Sequence, residues 1–234
     1  MCYRSKRAIG CTFALALCVT LSCGCSGTQL VPNQFWSFDK QERTSHRTPA
    51  SRIEALHELA AQGPTASIDQ KQEVAASLMS HIRQESDPVI REQIVRTLVH
   101  YDTSTAGAVQ RAALQDDDPN VRVAACQALA ARGGADALQS LAGRLDIDSD
   151  LDVRLAAAKA LARFREPSAV QALAHALEDP DPALQRRAVL SLEKVTGRDL
   201  GPDVNAWRQL VREGNVAPAE KPSWTEQLRK LSPF

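Results

Sequence analysis

Asp118-Pro119-Asn120-Val121-Arg122 decides the architecture, because this phrase returns through the chain. Asp87-Pro88-Val89-Ile90-Arg91 precedes it, while Asp150-Leu151-Asp152-Val153-Arg154 and Asp181-Pro182-Ala183-Leu184-Gln185 follow. The leading aspartates stand 31, 32 and 31 residues apart. Each phrase runs into a matching apolar tail: Ile94 and Leu98, Ala125 and Leu129, Ala157 and Leu161, Ala188 and Leu192. Phased recurrence at this length is the signature of stacked helical hairpins.

The phrase starts a helix. An aspartate carboxylate accepts hydrogen bonds from the free N–H groups of the first turn, and proline fits the first helical position, where its missing N–H costs nothing. The negative charge also lies favourably against the positive end of the helix dipole. Val121, Ala125 and Leu129 then fall at i, i+4 and i+8 on one apolar stripe, with Ala124 and Ala128 beside it small enough for close helix approach. Gly133-Gly134 stops this helix, since glycine takes left-handed backbone angles without steric penalty. A second, shorter apolar helix follows over Ala106 to Leu114, Ala135 to Leu145 and Ser168 to Leu177. One such hairpin cannot bury its own apolar face, so neighbours must complete a shared hydrophobic seam.

These phrases resemble HEAT repeats, and in particular the short HEAT-like repeats named after phycobilisome lyases. The resemblance covers about Glu73 to Thr196, with two departures: the third phrase lacks its proline and the fourth carries Gln185 for arginine. It implies an all-α, right-handed α-solenoid of stacked helical hairpins, and about eleven helices are counted along the chain. In such solenoids the second helix of each pair lines the concave face, which places the phrase-bearing helix there.

Composition agrees with an all-α class, with aromatics at only 4%. Formal net charge is zero, which argues against a general nucleic-acid binder. Met1 to Gly24 reads as a targeting segment: Arg4, Lys6 and Arg7, then an apolar stretch from Ala8 to Leu21, then Ser22-Cys23-Gly24-Cys25. Cysteine after small residues resembles the lipobox of bacterial lipoproteins, which implies lipidation at Cys25 or, as the alternative, Cys23. Neither has the leucine usually found three residues before the cysteine, and simple secretion or a retained membrane helix are the competing readings. Cleavage would leave Cys126 alone in the folded part and 25 basic against 28 acidic residues.

The domain expectation is therefore a signal peptide over 1–24, a flexible tether over 25–50, a solenoid over 51–196 and capping helices over 197–234. Phe35, Trp36 and Phe38 interrupt the polar tether, either docking on the first helices or touching lipid headgroups. Helices are expected over Ser51 to Ala61 and Ile68 to Ile82, after an Asp203 cap, and around Ser223 to Leu231. Trp207 is placed to cover the last repeat.

Chemistry is thinly represented. Asp146, Asp148, Asp150 and Asp152 echo a calcium loop, but Leu151 and Ala157 stand where glycine and glutamate are needed. Asp116-Asp117-Asp118 is read in the same way, as a turn. His57-Glu58 echoes the ligand pairs of the di-iron HEAT-like enzyme deoxyhypusine hydroxylase, yet it stands alone, because no other histidine is followed by glutamate. No catalytic residue, metal or cofactor is assigned. Asp87, Asp118, Asp150 and Asp181 are read as repeat caps, and Arg91, Arg122 and Arg154 as ties to carboxylates of a neighbouring repeat.

What remains is surface. The fifth and ninth residues after the phrase arginine should face outward: Arg96 and His100, Gln127 and Ala131, Lys159 and Arg163, Leu190 and Lys194, with Arg187 close by. None is acidic, so the expected partner is an acidic protein segment or an anionic glycan. The expectation is a monomeric, non-catalytic binding scaffold, lipid-anchored at the bacterial cell envelope and exported, with no nucleic acid involved. The alternative is a HEAT-like enzyme, either a metal-dependent oxidoreductase or a lyase-type factor.

Overall fold

The computed structural model describes residues 48–214 and 217–218. These form ten α-helices: α1 Pro49–Gln62, α2 Ile68–Ile82, α3 Pro88–Thr97, α4 Ser104–Ala112, α5 Pro119–Arg132, α6 Ala135–Ile147, α7 Leu151–Leu161, α8 Pro167–His175, α9 Pro182–Thr196 and α10 Val204–Arg212. Short 3-10 turns extend α1, α3, α4 and α8. The cysteines expected to carry lipid, the tether aromatics and the helix expected around Ser223 to Leu231 lie outside the described residues.

Each start has a local cause. Asp87, Asp118, Asp150 and Asp181 accept first-turn N–H groups of α3, α5, α7 and α9, and Asp203 does so for α10. Ser67 and Gln70 form a reciprocal capping box on α2. The stops are equally local: Gly133 (φ 73°) ends α5, and Gly197, in the left-handed region at φ 66°, ends α9.

The first helix begins at Pro49, ahead of the expected Ser51, because Thr48 accepts the Ser51 N–H and proline takes the first helical position. Thr48-Pro49-Ala50-Ser51-Arg52 is thus a fifth copy of the phrase, so residues 48–50 belong to the solenoid rather than to the tether.

The phrase-bearing helices α1, α3, α5, α7 and α9 lie side by side in chain order, and α10 packs on α9. They run parallel in a fixed register. Between α1 and α3, Arg52 pairs with Glu85 at the start, the Thr97 hydroxyl donates to the Leu56 carbonyl midway (3.2 Å), and the Tyr101 hydroxyl donates to the Leu59 carbonyl at the end (2.6 Å). Ser191 repeats the middle contact on the Ala158 carbonyl between α7 and α9, at 2.9 Å. The equivalent positions in α5 and α7 are the buried Ala128 and Ala160.

That register lines up Leu59, Leu98, Leu129, Leu161 and Leu192, each at most 1% exposed. The buried core is not one seam. It falls into two clusters, one over α1 to α4 and one running from Val95 to Trp207, with the partly buried Ile82 packed against both. Trp207 closes the second cluster, fully buried, its indole N–H donating to the Gly201 carbonyl at 3.1 Å. Cys126 is a buried free thiol whose pKa burial pushes up to about 12, so it acts as a small apolar core residue.

Candidate partner-binding face

Two arrays of side chains repeat along the phrase helices, one joining repeats and one exposed. The joining array is a ladder of arginine–carboxylate pairs. Arg91 donates through Nε and Nη2 to both Asp116 oxygens at 2.8 and 2.7 Å, and Arg122 holds Asp148 in the same way at 3.0 and 2.9 Å. Arg154 reaches Asp179 at 2.5 Å, and Arg52 pairs with Glu85. Each carboxylate stands two residues before the next capping aspartate and accepts that aspartate's backbone N–H.

The arginines also reach backward. Arg91 Nη1 donates to the carbonyls of Glu85 and Ser86, and Arg122 Nη1 to those of Asp116 and Asp117. Gln185 keeps only this backward half, donating to the Asp179 carbonyl at 2.6 Å. The residue two before Asp203 is Gly201, so no carboxylate stands there for a fifth forward tie.

Burial alone would raise the Asp148 carboxyl. Hydrogen bonds from Arg122, the Asp150 N–H and Arg144 outweigh it and hold the group below the ordinary carboxylate range. Asp116 is depressed in the same way, burial opposing, by Arg91 and the Asp118 N–H. The hydrogen bond to Asp148 in turn raises Arg122.

The aspartate run that echoes a calcium loop is thereby accounted for. Asp148 is the ladder carboxylate and Asp150 the cap of α7, while Asp146 faces His175 at 3.2 Å. Among the described residues no group of three or more His, Cys, Asp or Glu side chains could hold a metal ion. His57 and Glu58 are both exposed on α1.

The second array is the exposed one. Arg96, His100, Gln127, Ala131, Lys159, Arg163, Leu190 and Lys194 are all exposed, His100 and Arg163 lying in the turns that close α3 and α7. Register makes them neighbours from helix to helix, and one pair is joined directly: Arg96 Nη1 donates to the Gln127 side-chain oxygen at 2.9 Å. Arg96 is also held by Glu92 at 2.8 Å, so its charge is matched within its own helix.

The C-terminal end of the face differs. The side chains of Lys159, Arg163, Arg186, Arg187 and Lys194 make no hydrogen bond or ion pair with any described residue. Arg187 is half-buried, whereas Arg186 is exposed and completes the stripe Arg186–Leu190–Lys194 at i, i+4 and i+8. Sequence reasoning missed Arg186, the phrase at Thr48 and the ladder carboxylates. The signal for the carboxylates was present: Glu85, Asp116, Asp148 and Asp179 recur with the repeat, two positions ahead of each cap.

Paired helices repeated in register, with one helix of each pair forming a continuous layer, define an α-helical repeat protein. The chain belongs to the HEAT-repeat family: the family described as HEAT repeats matches residues 75–159 and 145–205. Among solved structures the chain is similar to an engineered protein whose crystal structure comes from the Northeast Structural Genomics Consortium. The identity is 20%, with 73% of this chain and 83% of that one covered and a TM-score of 0.43. No curated protein matches the chain.

Proposed function

We propose that this protein is a non-catalytic binding scaffold that presents its phrase-helix layer to an anionic partner, either an acidic protein segment or an anionic glycan. One observation carries this: the exposed row from Arg96 to Lys194 contains no carboxylate, in a chain whose formal charge is balanced. Placing like charges together on one surface costs self-repulsion, which a partner of opposite sign relieves. A layer of parallel helices suits this work, because many modest contacts sum along it.

The proposal includes placement. The basic start, apolar stretch and cysteines of residues 1–25 fit a lipoprotein signal ending at Cys25 or Cys23, with residues 26–47 as tether, so that the solenoid is held at the bacterial cell envelope as a monomer. More than one acyl chain is needed for stable anchoring.

Two experiments test these parts separately. Reversing Lys159, Arg163 and Lys194 to glutamate should abolish capture of partners crosslinked to the protein in cells, and unchanged capture would remove the basic face. The double variant Cys23→Ala/Cys25→Ala should leave the membrane fraction; if it stays there, lipid anchoring is wrong.

A further inference from the structure

We infer that the docking site is confined to the α7–α9 end of this layer and takes an acidic polypeptide segment bearing a large apolar side chain, which seats on Leu190; this rests on the basic-face reading above. The first observation is where charge is left over. On α1, α3 and α5 the cations Arg52, Arg91, Arg96, Arg122 and Arg132 are each paired with a carboxylate. Within α7 and α9 themselves Arg154 pairs with a carboxylate, whereas the side chains of Lys159, Arg186, Arg187 and Lys194, and of Arg163 just after α7, have no partner among the described residues. The row proposed from sequence is thus electrostatically uneven: its N-terminal part is neutralised internally and its C-terminal part is not. Glu193, half-buried, is the one carboxylate beside Lys194 on α9.

The second observation is apolar. Leu190 is 39% exposed in the middle of these cations, four residues from both Arg186 and Lys194. The parallel register set by Ser191 on the Ala158 carbonyl puts Leu190 beside Lys159 and Arg186 beside the half-buried Leu155. Leucine and cation therefore alternate both along α9 and across to α7. The long stems of lysine and arginine can lie along an apolar guest while their charged heads stay in water. Of the other exposed large hydrophobics, Ile68 and Ile147 sit at the start of α2 and the end of α6, away from this layer, while Val89 and Val99 lie at the two ends of α3, whose arginines are both paired with carboxylates.

The pattern selects among anions. A sulfated or uronic glycan, or a phosphate backbone, would meet the cations but offer nothing to bury Leu190. A peptide with carboxylates flanking a leucine or phenylalanine satisfies both. Confinement to two helices also limits the guest to a short segment, since neighbouring helix axes are about 8–10 Å apart.

The test uses the full-length protein in mild detergent and fluorescently labelled short peptides of Asp and Glu with a central leucine, the same peptides with serine at the centre, and a heparin-derived oligosaccharide. The leucine peptide should bind about tenfold more tightly than the serine peptide, as expected for burying one aliphatic side chain. Leu190→Ser should erase that preference while leaving the weaker serine-peptide binding, and Lys159→Glu/Arg163→Glu should remove both. Arg111→Ala, which removes an exposed cation on α4 outside this layer, should leave both unchanged. If the oligosaccharide binds as well as the leucine peptide, or Leu190→Ser leaves the preference intact, the inference falls and the basic face stands. If charge reversal changes the binding of no probe, both fall. Because the leucine preference is first read on the unaltered chain, a misfolded variant cannot mask the outcome.

Discussion

Arg122 and Asp148 lie 26 positions apart and meet side by side, two guanidinium nitrogens on two carboxylate oxygens, with the aspartate side chain only 2% exposed. The pair joins the start of α5 to the turn that starts α7. Four arginine–carboxylate links, those of Arg91 and Arg122 two-point, run along the phrase layer, so each repeat's entry turn is held by the repeat before it.

Asp148→Ala should be the most damaging single change in the ladder. It removes the acceptor for Arg122, Arg144 and the Asp150 N–H together, leaving two partly buried cations without their closest counter-charge. Loss of one partner from a buried pair costs about 3–5 kcal/mol. Arg122→Ala should cost less, because Arg144 still pairs with Asp148 at 3.3 Å. The exposed Asp117→Ala should stay within about 0.5 kcal/mol. Urea denaturation of the three variants gives the ranking, and equal losses for Asp148→Ala and Asp117→Ala would refute the ladder's role.

The ladder should make stability fall in acid. Asp116 and Asp148 are depressed below their ordinary value of 3.8, so each binds its proton less readily in the folded than in the unfolded chain. Their contribution is complete above 3.8 and is lost as pH falls through the lower folded values. Stability followed by denaturant titration from neutral pH into that range should drop below 3.8, and Asp148→Asn should flatten the drop.

Helix register should be sensitive where the side chains are smallest. Ala128 is 1% exposed and occupies in α5 the place that Thr97 takes in α3. Ala128→Leu would have to push α3 and α5 apart, at a cost of about 1–3 kcal/mol. Ser191→Ala loses one hydrogen bond, with the Ala158 carbonyl still able to bond within its own helix, and should cost about 1 kcal/mol. Thermal unfolding orders the two, and a larger loss for Ser191→Ala would contradict this packing.

Trp207→Ala should cost about 3–5 kcal/mol, the range for deleting a large buried aromatic side chain. The indole is fully buried at the α9 end of the second core cluster. Its fluorescence should be blue-shifted in the folded chain, and its exposure by denaturant should coincide with loss of helix. Independent early exposure would show that α10 is not part of the same cooperative unit.

Much of this architecture can be read from residue order, because its causes are local. Aspartate or threonine before proline, an apolar stripe at i, i+4 and i+8, and glycine at Gly133 and Gly197 act within a turn of chain. The phrase at Thr48 escaped because threonine replaces aspartate and the distance to Asp87 is 39 residues rather than 31. The ladder was half legible. Arginine recurrence was visible, but naming Asp116 and Asp148 as partners requires knowing that helices about 30 residues apart lie parallel. The outward row was legible by helical phase alone, whereas its uneven charge was not. Glu92 cancels Arg96 because both project from one face of α3, and nothing in residue order says that Gln127 lies within reach of the same guanidinium.

Residue order alone determined most helix starts, the repeat and most of the positions that turn outward, since these follow from backbone sterics, capping and helical phase, each acting over a few residues. Only the tertiary structure decided which charges are spent inside the protein and which are left for a partner. That choice depends on distances between side chains tens of residues apart, and Coulomb and hydrogen-bond energies are settled by those distances rather than by order along the chain.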